Sequence, residues 1–261
     1  MKRKTLFRNI AKFLRKPYYA SWKLLERLFY YGREYTLQVP SGHLVYTPWF
    51  ALNSEFAELI AKVERSGPLI VSLDRCYMIY QFCKYALSLG GDIVECGTYT
   101  GGTAYLLAST MKAKGASGKH LHLFDTFQGM PDIAIPERDV HAPGDFGDTC
   151  LEYVQKRLRE FPFVKFHPGF IPDTFSEVAN IDCFSFVHVD VDIYPTALEC
   201  CKWFWPRLTP GGVMLFDDYG FRSYRYAIRA AVDEFFAPLE EKPIILPTAQ
   251  AVVIKVGGNT R

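Results

Sequence analysis

None of the seven cysteines (Cys76, Cys83, Cys96, Cys150, Cys183, Cys200 and Cys201) forms a CxxC pair or stands at a zinc-ligand spacing. That removes the sequence basis for a cysteine-built metal site, and a reduced cytoplasmic compartment is the expectation. No apolar stretch approaches the length of a membrane span, and the amino-terminal segment lacks the compact apolar centre and small-residue cleavage site of a secretory signal. The chain also has no G-x-G-x-x-G, no Gly-Lys-Ser/Thr phosphate loop, and no zinc-finger, homeodomain or RNA-recognition signature. Dinucleotides and nucleic acid therefore lose their usual sequence signals. Internal repeats and low-complexity stretches are absent as well.

Net charge is small, +2 over 261 residues, but it is unevenly spread. Residues 1–35 hold ten Lys/Arg against Glu26 and Glu34, a local +8, which leaves −6 for the rest. Leu6, Ile10, Phe13 and Leu14 share a helical face among Lys4, Arg8, Lys12, Arg15 and Lys16, and Trp22, Leu25, Leu28 and Phe29 repeat the basic-aromatic character. Such a segment suits an anionic membrane surface, with a solvated arm or a dimer contact as the bland readings. Hydrophobic content of 49% is enough for a full core. The expected division is a basic amphipathic helical arm over 1–40, a helical lead-in over 41–90 and the main domain over 91–261.

Within that domain, apolar strand-like runs at 93–96, 121–124, 164–166, 184–191 and 213–216 alternate with helical patterns. The alternation predicts an α/β fold, a Rossmann-like doubly wound and mostly parallel sheet. Residues 243–246 and 251–256 read instead as a terminal antiparallel hairpin. Thr209-Pro210-Gly211-Gly212 reads as the stop of the helix that Pro195 opens.

Two of the strands end in aspartate pairs, Asp190 with Asp192 and Asp217 with Asp218. One strand-helix-strand unit separates the pairs, so the strands run parallel and both pairs fall at carboxyl ends, where open α/β sheets bind ligands. Aspartates commonly cap helices and start turns. Two pairs directly after apolar strands favour a site for a hard cation held by oxygen, Mg²⁺ first and Mn²⁺ or Ca²⁺ next. His188 shares strand parity with Asp190 and is read as a core histidine bonded to backbone.

The first strand leads into Glu95-Cys96-Gly97-Thr98-Tyr99-Thr100-Gly101-Gly102, whose glycines allow backbone to approach a ligand closely. A pyrophosphate gains nothing from Glu95, whereas the ammonium and sulfonium of S-adenosylmethionine do. Asp125, after the second strand, is placed to accept hydrogen bonds from ribose hydroxyls. Each signal taken singly also fits a helix-dipole carboxylate or a cap.

Glu95-x-Gly97-x-x-x-Gly101-Gly102, Phe124-Asp125-Thr126-Phe127-Gln128-Gly129-Met130-Pro131, Gly169-Phe170-x-x-Asp173-Thr174, Asp190-x-Asp192-x-Tyr194 and Asp217-Asp218-Tyr219-Gly220 occur in this order. From about residue 70 onward the chain resembles the macrocin O-methyltransferase-like family, metal-dependent class I methyltransferases acting on sugar hydroxyls of natural products and similar to proteins of surface-polysaccharide clusters. The resemblance implies that Glu95, Gly97, Gly101 and Asp125 hold S-adenosylmethionine, with Thr98, Tyr99, Thr126 and Asp190 beside them and Gly169 and Phe170 flanking the adenine. It makes Asp190, Asp217 and Asp218 the ligands of Mg²⁺ (or Mn²⁺) and Asp192 the general base. A sugar or glycan hydroxyl would be the acceptor, with Tyr99, His141, Arg222 and Tyr224 as candidate contacts; a homo-oligomer is left open. Val191 departs from the glycine more usual between the two aspartates, which bears on acceptor access. A catechol-type O-methyltransferase, a glycosyltransferase using Asp190-Val191-Asp192 as its DxD, and a non-catalytic membrane-attached scaffold are the rival readings.

Overall fold

The computed structural model describes residues 54–135 and 137–257. The arm expected over 1–40, with its membrane contact, lies outside the described residues. Helix α1 (Ser54–Ser66) buries Phe56, Leu59, Ile60 and Val63, a single apolar stripe at helical spacing. Helix α2 (Leu73–Ala86) follows, and the alternating part begins with β1 (Asp92–Cys96), α3 (Gly102–Ala113), β2 (Leu121–Asp125), α4 (Leu151–Leu158) and β3 (Val164–Pro168). It continues through β4 (Phe184–Val189), α5 (Tyr194–Arg207), β5 (Leu208–Phe216) and α6 (Ile228–Phe236), and closes with β6 (Ile244–Ile245) and β7 (Ala251–Ile254). Single 3₁₀ segments occupy Asp173–Val178 and Arg222–Tyr224.

The seven strands form one sheet in the order β3-β2-β1-β4-β5-β7-β6. The first five are parallel, and the final two are antiparallel, β7 to β5 and β6 to β7. This is the α/β, Rossmann-like sheet with a carboxyl-terminal antiparallel pair. Side-chain alternation builds a core on each face. Ile93, Leu123, Phe186 and Leu215 pack beneath α1 to α4, while Val94, Phe124, Val187 and Phe216 pack beneath α5 and α6. Each fully buried large apolar side chain contributes about 1.5–3 kcal/mol.

Helix α5 ends at Arg207, just before Thr209–Gly212, and these four residues lie inside β5, which already pairs Leu208 with Phe184 before the register shifts and Val213 meets Phe186. Gly211, at φ +79°, donates to the Lys255 carbonyl, and Lys255 returns a bond to Gly212. The Pro-Gly-Gly signal marks a bulge that β7 stitches down, a second common use of strand glycine. What matters for the site is the reversal of strand order between β1 and β4, which opens a crevice at their carboxyl ends.

Candidate active site

Beyond β1 the backbone bends into the crevice at Gly97, with φ +85°. A Cβ there would stand 1.8 Å from the carbonyl oxygen of Asp190, so only glycine lets the loop lie against the chain leaving β4. Asp190 N–H donates to the Cys96 carbonyl at 2.8 Å, and Gly97 N–H to Phe124 at 2.9 Å. The loop ends at Gly101, φ +80°, which caps α3. Asp125 fixes the middle: its Oδ2 accepts from the N–H groups of Thr98 and Tyr99 at 2.6 and 2.9 Å, and its Oδ1 from Phe127 N–H at 2.6 Å. Three of a carboxylate's roughly four lone-pair sites are thereby used, so Asp125 first shapes the loop and keeps about one position for a ligand.

The cleft that results is lined by Gly97, Thr98, Tyr99, Asp125, Thr126 and Gly169 among the residues the sequence singled out. Asp190, Asp192, Asp218 and Tyr224 also line it. Four others are not in its wall. Glu95 is fully buried under the sheet, Gly101 lies at the helix start, Phe170 is 54% exposed while its neighbour Ile171 lines the cleft, and Asp217 is fully buried. Thr126 Oγ1 donates to the Gly129 carbonyl at 2.7 Å and so shapes the adjoining turn. Arg222 is not in the wall either, and His141 stands behind it, 2.8 Å from the Tyr224 hydroxyl and 3.2 Å from Asp145 Oδ2. Tyr224 in turn hydrogen-bonds Asp192.

Three carboxylates, those of Asp190, Asp192 and Asp218, each bring an oxygen within 4.8 Å of the others. Burial raises the Asp190 carboxyl well above the usual range, and the charges of Asp218 and Asp192 add to it. Burial also raises Asp192, against the hydrogen bonds from Asp218 and Tyr224. Asp218 is pushed up to about 7, by burial first and by Asp192 second. Asp192 adopts φ +61°, a left-handed conformation that aspartate tolerates better than most residues.

Asp217 parts company with Asp218 because neighbours on a strand point to opposite faces. Its face is that of Leu215 and of α2, where Arg75 forms an ion pair with it and Gln250 Nε2 donates to Oδ1 at 2.6 Å. Antiparallel β7 starts at this end of the sheet, which is how Gln250 arrives beside Asp217. Arg75 also reaches Asp218 Oδ1 at 3.4 Å. A second set, His188, Asp190 and Asp217, offers atoms within 4.8 Å, so Asp190 is common to both groups. His188 is fully buried as expected but is not bonded to backbone: Nδ1 lies 3.0 Å from Glu95 Oε1, and Nε2 3.6 Å from Asp217 Oδ1. The direct pairing of Glu95 with His188 across β1 and β4 puts the two side chains on one face.

Two residues that carry no sequence signal hold the site together. Arg75 is one. Arg157 of α4 is the other: it donates to the carbonyls of Thr100 at 2.8 Å, Pro68 at 2.9 Å and Val63 at 3.2 Å, tying the glycine loop to the 68–71 segment that forms the facing wall. No local pattern marks either arginine, since their partners are 57 to 143 positions away.

Sheet order and crevice define the class, a Rossmann-like methyltransferase fold. The chain is similar in fold to the O-methyltransferase NovP, with TM-score 0.62 and 23% identity over 73% of this chain and 83% of that one. It is also similar to CalS11, a calicheamicin methyltransferase, with TM-score 0.59 and 16% identity over 82% and 99%. Residues 84–243 match the family described as Macrocin-O-methyltransferase (TylF), and the chain belongs to that family. Among curated relatives, 8-demethyl-8-(2,3-dimethoxy-alpha-L-rhamnosyl)-tetracenomycin-C 4'-O-methyltransferase of Streptomyces olivaceus is 27% identical over 148 residues, 53% of this chain and 56% of the relative. Mycinamicin III 3''-O-methyltransferase of Micromonospora griseorubida is 28% identical over 150 residues, 53% of this chain and 59% of the relative. The chain thus spans less than two thirds of these relatives' length. Among the described residues, no helix is long and apolar enough to cross a membrane.

Proposed function

We propose that this protein is an S-adenosylmethionine-dependent O-methyltransferase that methylates a sugar hydroxyl, of a glycosylated natural product or a glycan, with the help of Mg²⁺ or Mn²⁺. The observation that carries the reading is the convergence of Asp190, Asp192 and Asp218 at a cleft whose other wall is the glycine loop. Membership of the TylF family and relatives named for sugar O-methylation support it. The cleft's own chemistry fits the methyl donor. Thr98 Oγ1 and Thr196 Oγ1 are buried in its wall without a protein partner, and Asp125 keeps about one acceptor position. It also fits a hard cation, since three clustered carboxylates whose proton affinity burial raises stand together at the cleft, with Arg75 beside Asp218 at 3.4 Å and His141 3.9 Å from Asp192.

In this reading Asp190 and Asp218 hold the cation, and Asp217 joins them only if Arg75 withdraws. A cation held by these residues would make an acceptor hydroxyl more acidic, and the methyl donor beside the glycine loop would supply an electrophilic methyl group to its oxygen with loss of the carbon–sulfur bond. Asp192 removes the hydroxyl proton: it lies beside the other two carboxylates, and burial makes it a stronger base than a free carboxylate. Tyr224, backed by His141 and Asp145, orients Asp192. Asp125 and Gly97 set the donor loop, and Arg157 ties that loop to the facing wall. The basic segment 1–35 would attach the enzyme to the inner face of an anionic membrane near a polysaccharide-assembly pathway.

Acceptor profiling tests the substrate class. Methyl transfer to deoxysugar glycosides or glycans but not to catechols is expected, and transfer to catechols alone would replace the reading with a phenolic one. Chelation should stop transfer, and Mg²⁺ should restore it; full activity after chelation removes the cation. The carboxylates also predict a sign for stability. Their folded-state proton affinities lie above the unfolded value near 3.9, so their contribution is present at low pH and is lost as pH rises through about 7, the value Asp218 reaches. The cation-free protein should therefore melt at a lower temperature at pH 8 than at about pH 5, and Mg²⁺ should raise melting more at pH 8. Equal Mg²⁺ shifts at both pH values, read by scanning calorimetry, contradict the assignment.

A further inference from the structure

The opposite end of the sheet carries a second cluster that methyl transfer does not use. Asp92 opens β1, His120 directly precedes β2, His122 is the second residue of β2, and His167 lies on β3. Asp92 Oδ2 is 3.2 Å from His122 Nε2 and 3.6 Å from His120 Nδ1, and the three residues offer atoms all within 4.8 Å of one another. Those two edges straddle the roughly 3.3 Å between ligands of a tetrahedral ion with bonds of about 2.0–2.1 Å.

Hydrogen bonding behind His122 fixes which of its nitrogens is bare. His167 Nδ1 is 2.7 Å from Glu177 Oε2, which only accepts, so His167 donates there and leaves Nε2 as a lone pair. His122 Nδ1, 3.0 Å from that lone pair, donates to it. A neutral His122 then aims a bare Nε2 at a carboxylate oxygen, lone pair against lone pair. An added proton would satisfy this contact as an ion pair with Asp92, but it would leave His120 Nδ1 at 3.6 Å from the same oxygen, beyond hydrogen-bond distance. A metal ion satisfies all three groups at once. The row His122, His167, Glu177 is also the arrangement expected behind a metal-bound imidazole, whose other N–H is nearly always given to a fixed acceptor.

We propose that Asp92, His120 and His122 bind one divalent transition-metal ion of the zinc class, with water completing its coordination and the His167–Glu177 pair orienting His122 from behind. Two imidazoles select such an ion over Mg²⁺. His120, with its side chain 45% exposed, leaves the site open to solvent. All three ligands sit at the amino ends of β1 and β2, away from the aspartates at the carboxyl ends, so the ion clamps two central strands and takes no part in transfer.

The test uses untagged full-length protein, stripped with chelator, returned to buffer with saturating Mg²⁺ and titrated with Zn²⁺ by calorimetry and with Co²⁺ by visible absorption. One Zn²⁺ per chain, a Co²⁺ band of nitrogen-ligated character and a rise in melting temperature are expected. His120→Ala keeps the backbone bond from residue 120 to Asp92 Oδ1 and should weaken Zn²⁺ by about tenfold or more. The double variant Asp190→Asn, Asp218→Asn should still bind the ion. No Zn²⁺ uptake at micromolar concentration, unchanged affinity in His120→Ala, or loss of the ion in the Asp190/Asp218 variant each overturns the proposal.

Discussion

Replacing Asp192 with Asn is expected to lower kcat by about 10²–10⁴-fold, the usual worth of a positioned general base, while S-adenosylhomocysteine binds within about twofold of wild type. Burial of Asp192 among two other carboxylates raises its basicity, and the Tyr224 hydroxyl holds it in place. Asparagine keeps the shape and the bond to Tyr224 but cannot take the proton. Because Asp192 does not hold the glycine loop, donor binding is the internal control. Isotope-release kinetics with labelled methyl donor, alongside calorimetric S-adenosylhomocysteine binding, separate the two effects. Near-normal turnover moves the base elsewhere; joint loss of turnover and donor binding means that Asp192 shapes the cleft.

Among the described glycines, Gly97→Ala should be the most damaging substitution by alanine. The added carbon meets the Asp190 carbonyl at 1.8 Å, backbone against backbone, so no side-chain rotation relieves it. The left-handed conformation at φ +85° costs a non-glycine residue about 1–2 kcal/mol, and overpacking adds about 1–3 kcal/mol more. A total of about 2–5 kcal/mol is a large part of a stability of roughly 5–15 kcal/mol and lowers melting by about 4–20 °C. Gly115 is the matched control, since it has φ +63° and an added Cβ would meet nothing within 4 Å, so Gly115→Ala should show the conformational cost alone. Equal losses in the two variants would contradict the close approach at Gly97. The same substitution pushes the glycine loop away from Asp190, so any folded fraction should also lose donor affinity.

The places of the strands along the chain and of the aspartates at their ends were legible because apolar runs stopped at charged residues, and a buried parallel strand leaves that mark. Strand parity also separates Asp217 from Asp218, although it does not say which face holds the ligand. That depended on Arg75, which lies 143 positions from Asp218 and has no local signature. Asp125 was readable as a site residue, but its bonds to Thr98, Tyr99 and Phe127 need the loop's actual path. Phe170, expected against the adenine as the motif neighbour of Gly169, is 54% exposed, and Ile171 rather than Phe170 lines the cleft, a placement that depends on the chain's path after Gly169. Thr209–Gly212 was legible as the stop of helix α5 but not as part of β5, because its place in the strand depends on pairing with β4 and bonds to Lys255. His188 looked like a routine core histidine because its partners, Glu95 and Asp217, come from two other strands.

Protection from heat tests the central claim most directly, because it needs no knowledge of the acceptor. The full chain with Mg²⁺ is melted in the presence of S-adenosylhomocysteine, UDP-sugar or GDP-sugar. A shift of several degrees with S-adenosylhomocysteine alone, as a ligand at about 100 times its Kd gives through some 2.7 kcal/mol of added stability, is the predicted result. Protection by a nucleotide sugar with none from S-adenosylhomocysteine would contradict the account and reassign Asp190-Val191-Asp192 to glycosyl transfer.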